Sequence, residues 1–401
     1  MPMPEKSCIY CDYAAGGPPR PEVFEAMRAH AFAHFANPGA HHPLAYLARH
    51  EMERLHSRAA AVLGVDPREV IFTSGGTESD VLALRGMLPY RPQNREGRDF
   101  DGIRSPARRD ELVVSSIEHH AVLLCAEKLA REGFCVRYAG VNSLGMVDVD
   151  QLDLLINERT ALVSVMFANN ETGVIQPVNE VARRAHAKGA KFHCDAVQAF
   201  GKVELKPREI GCDLLSLSGG KFGGPKGTGL LYNEMTNRLD AQIVGGPQEW
   251  GYRAGTENLS GQAGLTLAME LAEAARTTAW PRVARIRDAL EATLKARLGA
   301  RVRINGEGAP RLPNISNVSF LGIEGQALGI ELGEQGYCVG LGSACAPGET
   351  DPSHVLRAMG LSWEDAQGCI RFSFGPDITE AQGARLADLC VANYLKLAEL
   401  A

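Results

Sequence analysis

Between about Glu69 and Tyr232, seven short apolar runs alternate with helical patterns: EVIFTS, ELVVSS, CVRYA, ALVSVMF, KFHCD, DLLSLS and GLLYN. Strands separated by helices cannot pair as hairpins, so this alternation predicts an α/β fold with a mostly parallel sheet sandwiched by helices. Pro43–Leu63 reads as a helix with Leu44, Leu47, Leu55, Ala59 and Val62 on its inner face and Gly64 at its end. Val178–Lys188 reads alike, with Val178, Val181, Ala182 and Ala185 inward and Gly189 beyond. After about Ala263 the pattern changes. Long helical stretches at Val283–Leu298 and Ile378–Leu400 flank the strand-like runs NISNVSFL, YCVGLGS and IRFSFG, which predicts a smaller α+β domain. A chain of 401 residues is large enough for two cores. The polar stretch Tyr90–Glu111 is expected to be an exposed insertion.

Composition excludes several function classes. A net charge of −6 gives no electrostatic reason to bind nucleic acid or an anionic membrane. No run approaches the roughly 20 apolar residues that span a bilayer. The start MPMPEKSCIYCDYAAGG has no basic flank followed by an apolar core, so a cytoplasmic protein is expected. The ten cysteines are scattered and are expected to be reduced. Cys8 and Cys11 form a lone C-x-x-C with no second pair, and no metal site is expected.

In open α/β sheets ligands bind beyond the carboxyl ends of the strands. Those ends carry TSGGTES with Gly75, Gly76 and Thr77, then His119, Asn170, Asp195 with Gln198, and Ser218 with Lys221. Bare amides and a hydroxyl at a helix start suit a phosphate. The stretch SLSGGKFGGPKGTG (216–229) is no nucleotide loop, because neither lysine is followed by Ser or Thr. Each residue alone has an ordinary reading as a cap or a solvated side chain. One ligand accounts for all of them: pyridoxal 5′-phosphate, which needs a Schiff-base lysine, an acid for its ring nitrogen and a phosphate cup.

The chain resembles the cysteine desulfurases, the NifS/IscS-like branch of the class V aminotransferases, nearly end to end. The blocks are CDYAA (11–15), NPGAHH (37–42), TSGGTES (73–79), EHHAV (118–122), NNETG (169–173), DAVQ (195–198) and SGGK (218–221). RAGTEN (253–258), GSAC (342–345), SHVLRAMG (353–360) and IRFSFG (370–375) follow. The resemblance implies a fold type I enzyme with a large cofactor domain at 16–262. A small domain of 1–15 and 263–401 would carry the catalytic cysteine loop. It implies Lys221 as the Schiff-base lysine, Asp195 on the ring nitrogen and His119 stacked on the ring. Asn170 and Gln198 would lie on the ring-hydroxyl side, and Gly76, Thr77 and Ser218 would hold the phosphate. Thr256 would reach the phosphate of a partner subunit in a homodimer. Arg371 and Asn37 would grip the substrate carboxylate, and Cys345 would be the nucleophile. Cys125, Cys194, Cys212, Cys369 and Cys390 are expected to be core residues.

The implied reaction turns L-cysteine into L-alanine, leaving a persulfide on Cys345 for an acceptor protein or thiol of an iron–sulfur or thiolation pathway. Gly220 replaces the family's usual His, and Gly16 and Gly17 stand where threonines are common. Leu341 replaces a frequent Ser, and Trp250 a basic residue. These departures keep open an alternative, a C–S or C–Se lyase acting on another cysteine-like amino acid. A silent binding scaffold is opposed by the presence of Lys221, Asp195, Arg371 and Cys345 together.

Overall fold

The computed structural model describes residues 8–88, 109–341 and 352–400. Cys345 and all but the last residues of the expected insertion lie outside them. In chain order the strands are β1 (Ile9–Cys11), β2 (Val70–Thr73), β3 (Glu111–Ser115), β4 (Cys135–Ala139), β5 (Thr160–Ser164) and β6 (Lys191–Asp195). Then come β7 (Leu214–Ser218), β8 (Gly229–Asn233), β9 (Val302–Ile304), β10 (Ile315–Phe320), β11 (Tyr337–Leu341) and β12 (Cys369–Ser373). The helices are α1 (Pro21–Ala33), α2 (Pro43–Leu63), α3 (Gly76–Gly86), α4 (His120–Arg131), α5 (Val149–Leu155) and α6 (Val178–Ala187). They continue with α7 (Pro207–Ile210), α8 (Leu259–Leu298), α9 (Gly325–Glu334), α10 (His354–Ala358), α11 (Trp363–Gln367) and α12 (Glu380–Ala398).

All seven expected runs form one sheet, in the order β2-β8-β7-β6-β5-β3-β4. Neighbours pair in parallel except where β8 runs against both β2 and β7. Six strands therefore point the same way. Period-two alternation sends their side chains to two dry faces. Val163, Phe192 and Leu215 pack on one face with Val181 and Ala185 of α6 and Met269 of α8. Leu112, Val114, Leu162 and Leu214 pack on the other with Leu82 of α3 and Ala126 of α4. The second sheet, β1-β11-β12-β10-β9, is mostly antiparallel, with β1 parallel to β11 at its edge.

Two local expectations change. The helix expected from Val283 begins at Leu259 and runs through Pro281 without interruption. Leu265, Ala268 and Met269 of its first half belong to the larger core, and Val283, Ile286, Leu290 and Leu294 of its second half to the smaller. Tertiary packing on both halves outweighs the missing hydrogen bond at the proline. Leu44 and Leu47 of α2 are exposed rather than inward. The helix instead seats Ala48 and Leu55 against Leu259 and Ala263 of α8, where small side chains allow close approach. Cys194, Cys212, Cys369 and Cys390 are buried, but Cys125 only partly so.

Leu294 is fully buried between α8 and the smaller sheet. Leu294→Ala is expected to cost about 2–5 kcal/mol, read as a lowered denaturation midpoint.

Candidate active site

The carboxyl ends of β2, β3, β5, β6 and β7 open onto a cavity of about 370 Å³. Gly76, Thr77, His119, Asn170, Asp195, Gln198, Ser218, Lys221 and Arg371 all line it, with Ala14, Ala15 and Asp80. Nine of the residues singled out from the sequence thus meet in one space. Asn37 and Thr256 lie outside it and are exposed; the Asn37 Oδ1 accepts from the Gly39 amide at 2.8 Å.

At one wall, α3 starts on Gly75, and no side chain caps it. Its first amides and the helix dipole are therefore presented to the cavity at Gly76 and Thr77, a setting that favours an anion. The wall is tight. A Cβ on Gly76 would lie 2.9 Å from Val197, and one on Gly229 only 2.6 Å from the Gly75 backbone. Glycine at 229 lets β8 approach the helix start.

Lys221 follows β7 on a single tight turn, and its Nζ donates to the carbonyls of Ala14 and Ala15 at 2.8 Å each. Gly17 N donates back to Gly220 O at 3.0 Å. The N-terminal segment therefore crosses directly over the lysine. A Cβ on Gly220 would meet only Lys226 Cγ, at 3.7 Å, so the backbone leaves room for the larger residue usual in the family. Gly16 has φ +152°, which a threonine would rarely adopt. Trp250 is spent on structure: its Nε1 donates to the Val70 carbonyl at 3.1 Å.

His119 Nδ1 accepts from the Ala121 amide at 3.1 Å, which leaves the proton on Nε2. Burial, and then the charge of Lys221, push its pKa down to about 4, so the ring is neutral. Burial lifts Asp195 to about 6, against the opposing pull of the Val197 amide and Lys221. Gln198 Nε2 donates to Ala14 O at 2.8 Å, while its Oε1 is buried without a partner. Arg371 donates through Nη2 to Asp12 Oδ1 (2.6 Å) and through Nη1 to Asn170 O (3.1 Å); its buried Nε has no partner.

Beneath this shell lie residues that sequence reading passed over. Burial, and then the Asp195 charge, push Asp80 well above the carboxylate range. His193 sits in β6 with its ring nitrogens 2.8 Å from Ser164 Oγ and 2.9 Å from Ser216 Oγ. Lys202 donates to Gln198 O at 2.7 Å, and burial, then Lys221, lower its pKa to about 7. Glu171 accepts from Ser353 Oγ, and burial lifts it to about 7. The available signal was a polar residue inside an apolar run, as His193 is in KFHCD. A second cavity of about 430 Å³ lies beside Lys221, lined by Pro18, Phe200, Lys202, Phe222 and Trp280. It has neither His119, Asp195 nor Arg371, so the chemistry belongs to the smaller one.

A doubly covered sheet with a lysine and an acid at its strand ends, faced by an arginine from a second sheet, is the plan of the class V aminotransferases. That family matches residues 9–386, and the chain belongs to it. Within it, a cysteine desulfurase of Nostoc sp. (strain PCC 7120 / SAG 25.82 / UTEX 2576) is 39% identical over 383 residues, 96% of this chain and 92% of its own. Cysteine desulfurase IscS of Methanosarcina thermophila is 40% identical over 375 residues, 92% of this chain and 88% of its own. A solved NifS-like protein superposes with a TM-score of 0.84 at 34% identity, covering 96% of this chain and 98% of its own. The chain thus falls in the NifS/IscS-like branch.

The buried His193 ring supports one pH test. Burial lowers its pKa from 6.5 to about 3. Between those values the unfolded chain binds the extra proton, so this part of the stability is full above pH 6.5 and falls as pH drops toward 3. In denaturation midpoints followed across that window, His193→Gln should remove a slope of up to about 1.4 kcal/mol per pH unit.

Proposed function

We propose that this chain is a pyridoxal-phosphate-dependent cysteine desulfurase. It converts L-cysteine to L-alanine and passes the sulfur, as a persulfide on Cys345, to an acceptor protein or thiol. The observation that carries this is the single cavity in which Lys221, Asp195, His119 and Arg371 meet at a helix N-terminus. The cofactor fits the residues present. The uncapped start of α3 suits its phosphate, Asp195 its ring nitrogen, the neutral His119 ring its face, and the orphaned Gln198 Oε1 a polar group at its edge. Bound there, pyridoxal phosphate would supply an electron sink for a carbanion at the substrate α-carbon.

The chain's own groups would do the rest. Arg371, already poised by Asp12 and the Asn170 carbonyl, would turn its free Nε toward the substrate carboxylate. Lys221 Nζ, released from the carbonyls of Ala14 and Ala15, would take the α-proton. Cys345 thiolate would attack the substrate sulfur: the S–S bond forms as the C–S bond breaks, and the electron pair returns to carbon, where a proton completes alanine. The lowered pKa of Lys202 limits how much positive charge gathers around Lys221.

The enzyme is read as a homodimer of the cytoplasm. Phe24, Phe32, Phe35, Leu44 and Leu47 leave an apolar surface on α1, α2 and the turn between them, which a second copy would cover. The exposed Thr256 is then available to the partner's phosphate site. Among the described residues no helix is long and apolar enough to cross a membrane. We read the domains as 16–262 and 1–15 with 263–401, with the first turns of α8 through Ala272 packing in the core of the larger one. A lyase on another cysteine-like amino acid is the second reading, favoured by the space beside Gly220.

Incubation with L-cysteine decides between them. Wild type is expected to yield alanine and a persulfide mapped by mass spectrometry to Cys345, both lost in Cys345→Ser. Pyruvate, or turnover that survives Cys345→Ser, would mean the lyase. Arg371→Ala is expected to lower kcat/KM by about 100-fold or more through lost charged hydrogen bonds, while the visible absorption of the bound cofactor persists. Lys221→Ala should abolish that absorption.

A further inference from the structure

Away from the cavity, α1 and α2 bring together three side chains that bind metals. His30 lies in α1, His34 directly at its C-terminal end, and Glu51 in α2. One ligand atom from each lies within 4.8 Å of the other two. The histidines are four residues apart and so share one helical face.

His30 Nδ1 is 2.7 Å from the Ala26 carbonyl, which can only accept. The ring therefore carries a proton on Nδ1 and aims Nε2 at Glu51 Oε1, 2.8 Å away. Metal-bound imidazoles are held in this way, one N–H tied to a backbone carbonyl and the other nitrogen left as ligand. Glu51 is oriented by Arg54, whose Nε donates to Oε2 and whose Nη2 donates to Oε1, the oxygen that faces His30, each at 2.8 Å. A carboxylate has lone pairs enough for both the guanidinium and an ion. His34 Nδ1 is buried and has no hydrogen-bond partner among the described residues. A proton on His30 Nε2 would satisfy Glu51 but not His34. A divalent cation would satisfy all three.

We propose that His30, His34 and Glu51 form a binding site for a borderline transition-metal ion of the zinc type. Two imidazoles and one carboxylate are its usual donors, with water in the fourth position. Ligand atoms about 2.0–2.1 Å from a tetrahedral ion sit roughly 3.3 Å apart. Small rotations of His30 and Glu51 would open their 2.8 Å contact to that spacing. The ion would clip α1 to α2 and close the connection between them. That connection carries Asn37, so metal occupancy would restrain one residue proposed for the substrate carboxylate without touching Lys221.

Chelator-treated holoenzyme, titrated with cobalt(II) chloride alone, tests the site. Cobalt bound by nitrogen and oxygen shows weak ligand-field bands, whereas binding to any of the ten cysteines adds an intense thiolate charge-transfer band. One equivalent per chain is expected, without that band. Affinity should fall about tenfold or more in His34→Gln and Glu51→Gln, and further in the His30→Ala/His34→Ala double variant. Circular dichroism and cofactor absorption report whether each variant is folded, and the half-exposed His34→Gln serves if the double variant is not. No binding to wild type, a thiolate band, or equal affinity in the folded variants would overturn the proposal.

Discussion

Six strands pointing one way is the constraint on which the chemistry depends. A parallel arrangement requires crossover helices, and those helices cover both faces of the sheet. Only the strand ends remain for a ligand. The amino acids at or just beyond five of these strand ends are then forced into one place: Gly76 after β2, His119 after β3, Asn170 after β5, Asp195 at the end of β6 and Lys221 after β7. β8 is the exception to the common direction. It delivers glycine rather than a functional side chain to this end, because its first residue must pass against the Gly75 backbone.

The cleft this creates is dry, and its charges are graded rather than simply paired. Burial raises Asp195, Asp80, Glu118 and Glu171 and lowers His119, His193 and Lys202. In each case burial favours the neutral form. The Asp195 charge adds to burial in raising Asp80, and neutral His119 adds no positive charge near Lys221. Arg371 is paired with Asp12 at 2.6 Å.

Period-two alternation and the order of strand ends were legible in the sequence, and so were eight of the cavity's residues, because each ends or follows an element whose pattern is strong; Arg371, inside β12, was indicated only by the family resemblance. What was not legible depends on distances between elements. Leu44 and Leu47 have the spacing of an inner face, yet the alanines beside them allow α2 to sit closer to α8 with those leucines outside. The helix read from Val283 in fact begins at Leu259 and passes Pro281, because packing on both sides of the proline holds it. The i, i+4 pair His30 and His34 was visible, but Glu51 comes within reach of it only once α1 and α2 lie together. Asp12 likewise gains its meaning from Arg371, at the opposite end of the chain.

β1 is only three residues long, yet it pairs with β11, more than 300 residues later in the sequence. The segment just after it supplies Asp12 to Arg371 and the Ala14 and Ala15 carbonyls to Lys221. During synthesis the larger sheet can close without it, because all seven of its strands lie between Val70 and Asn233. The leading segment must wait for β11 and β12 before it has a seat. Long-range pairings of this kind form late. Assembly therefore has a built-in order, with the framework first and the roof over the lysine last. A ribosome-bound or truncated chain lacking its final third would hold a nearly complete sheet and an unfinished active site.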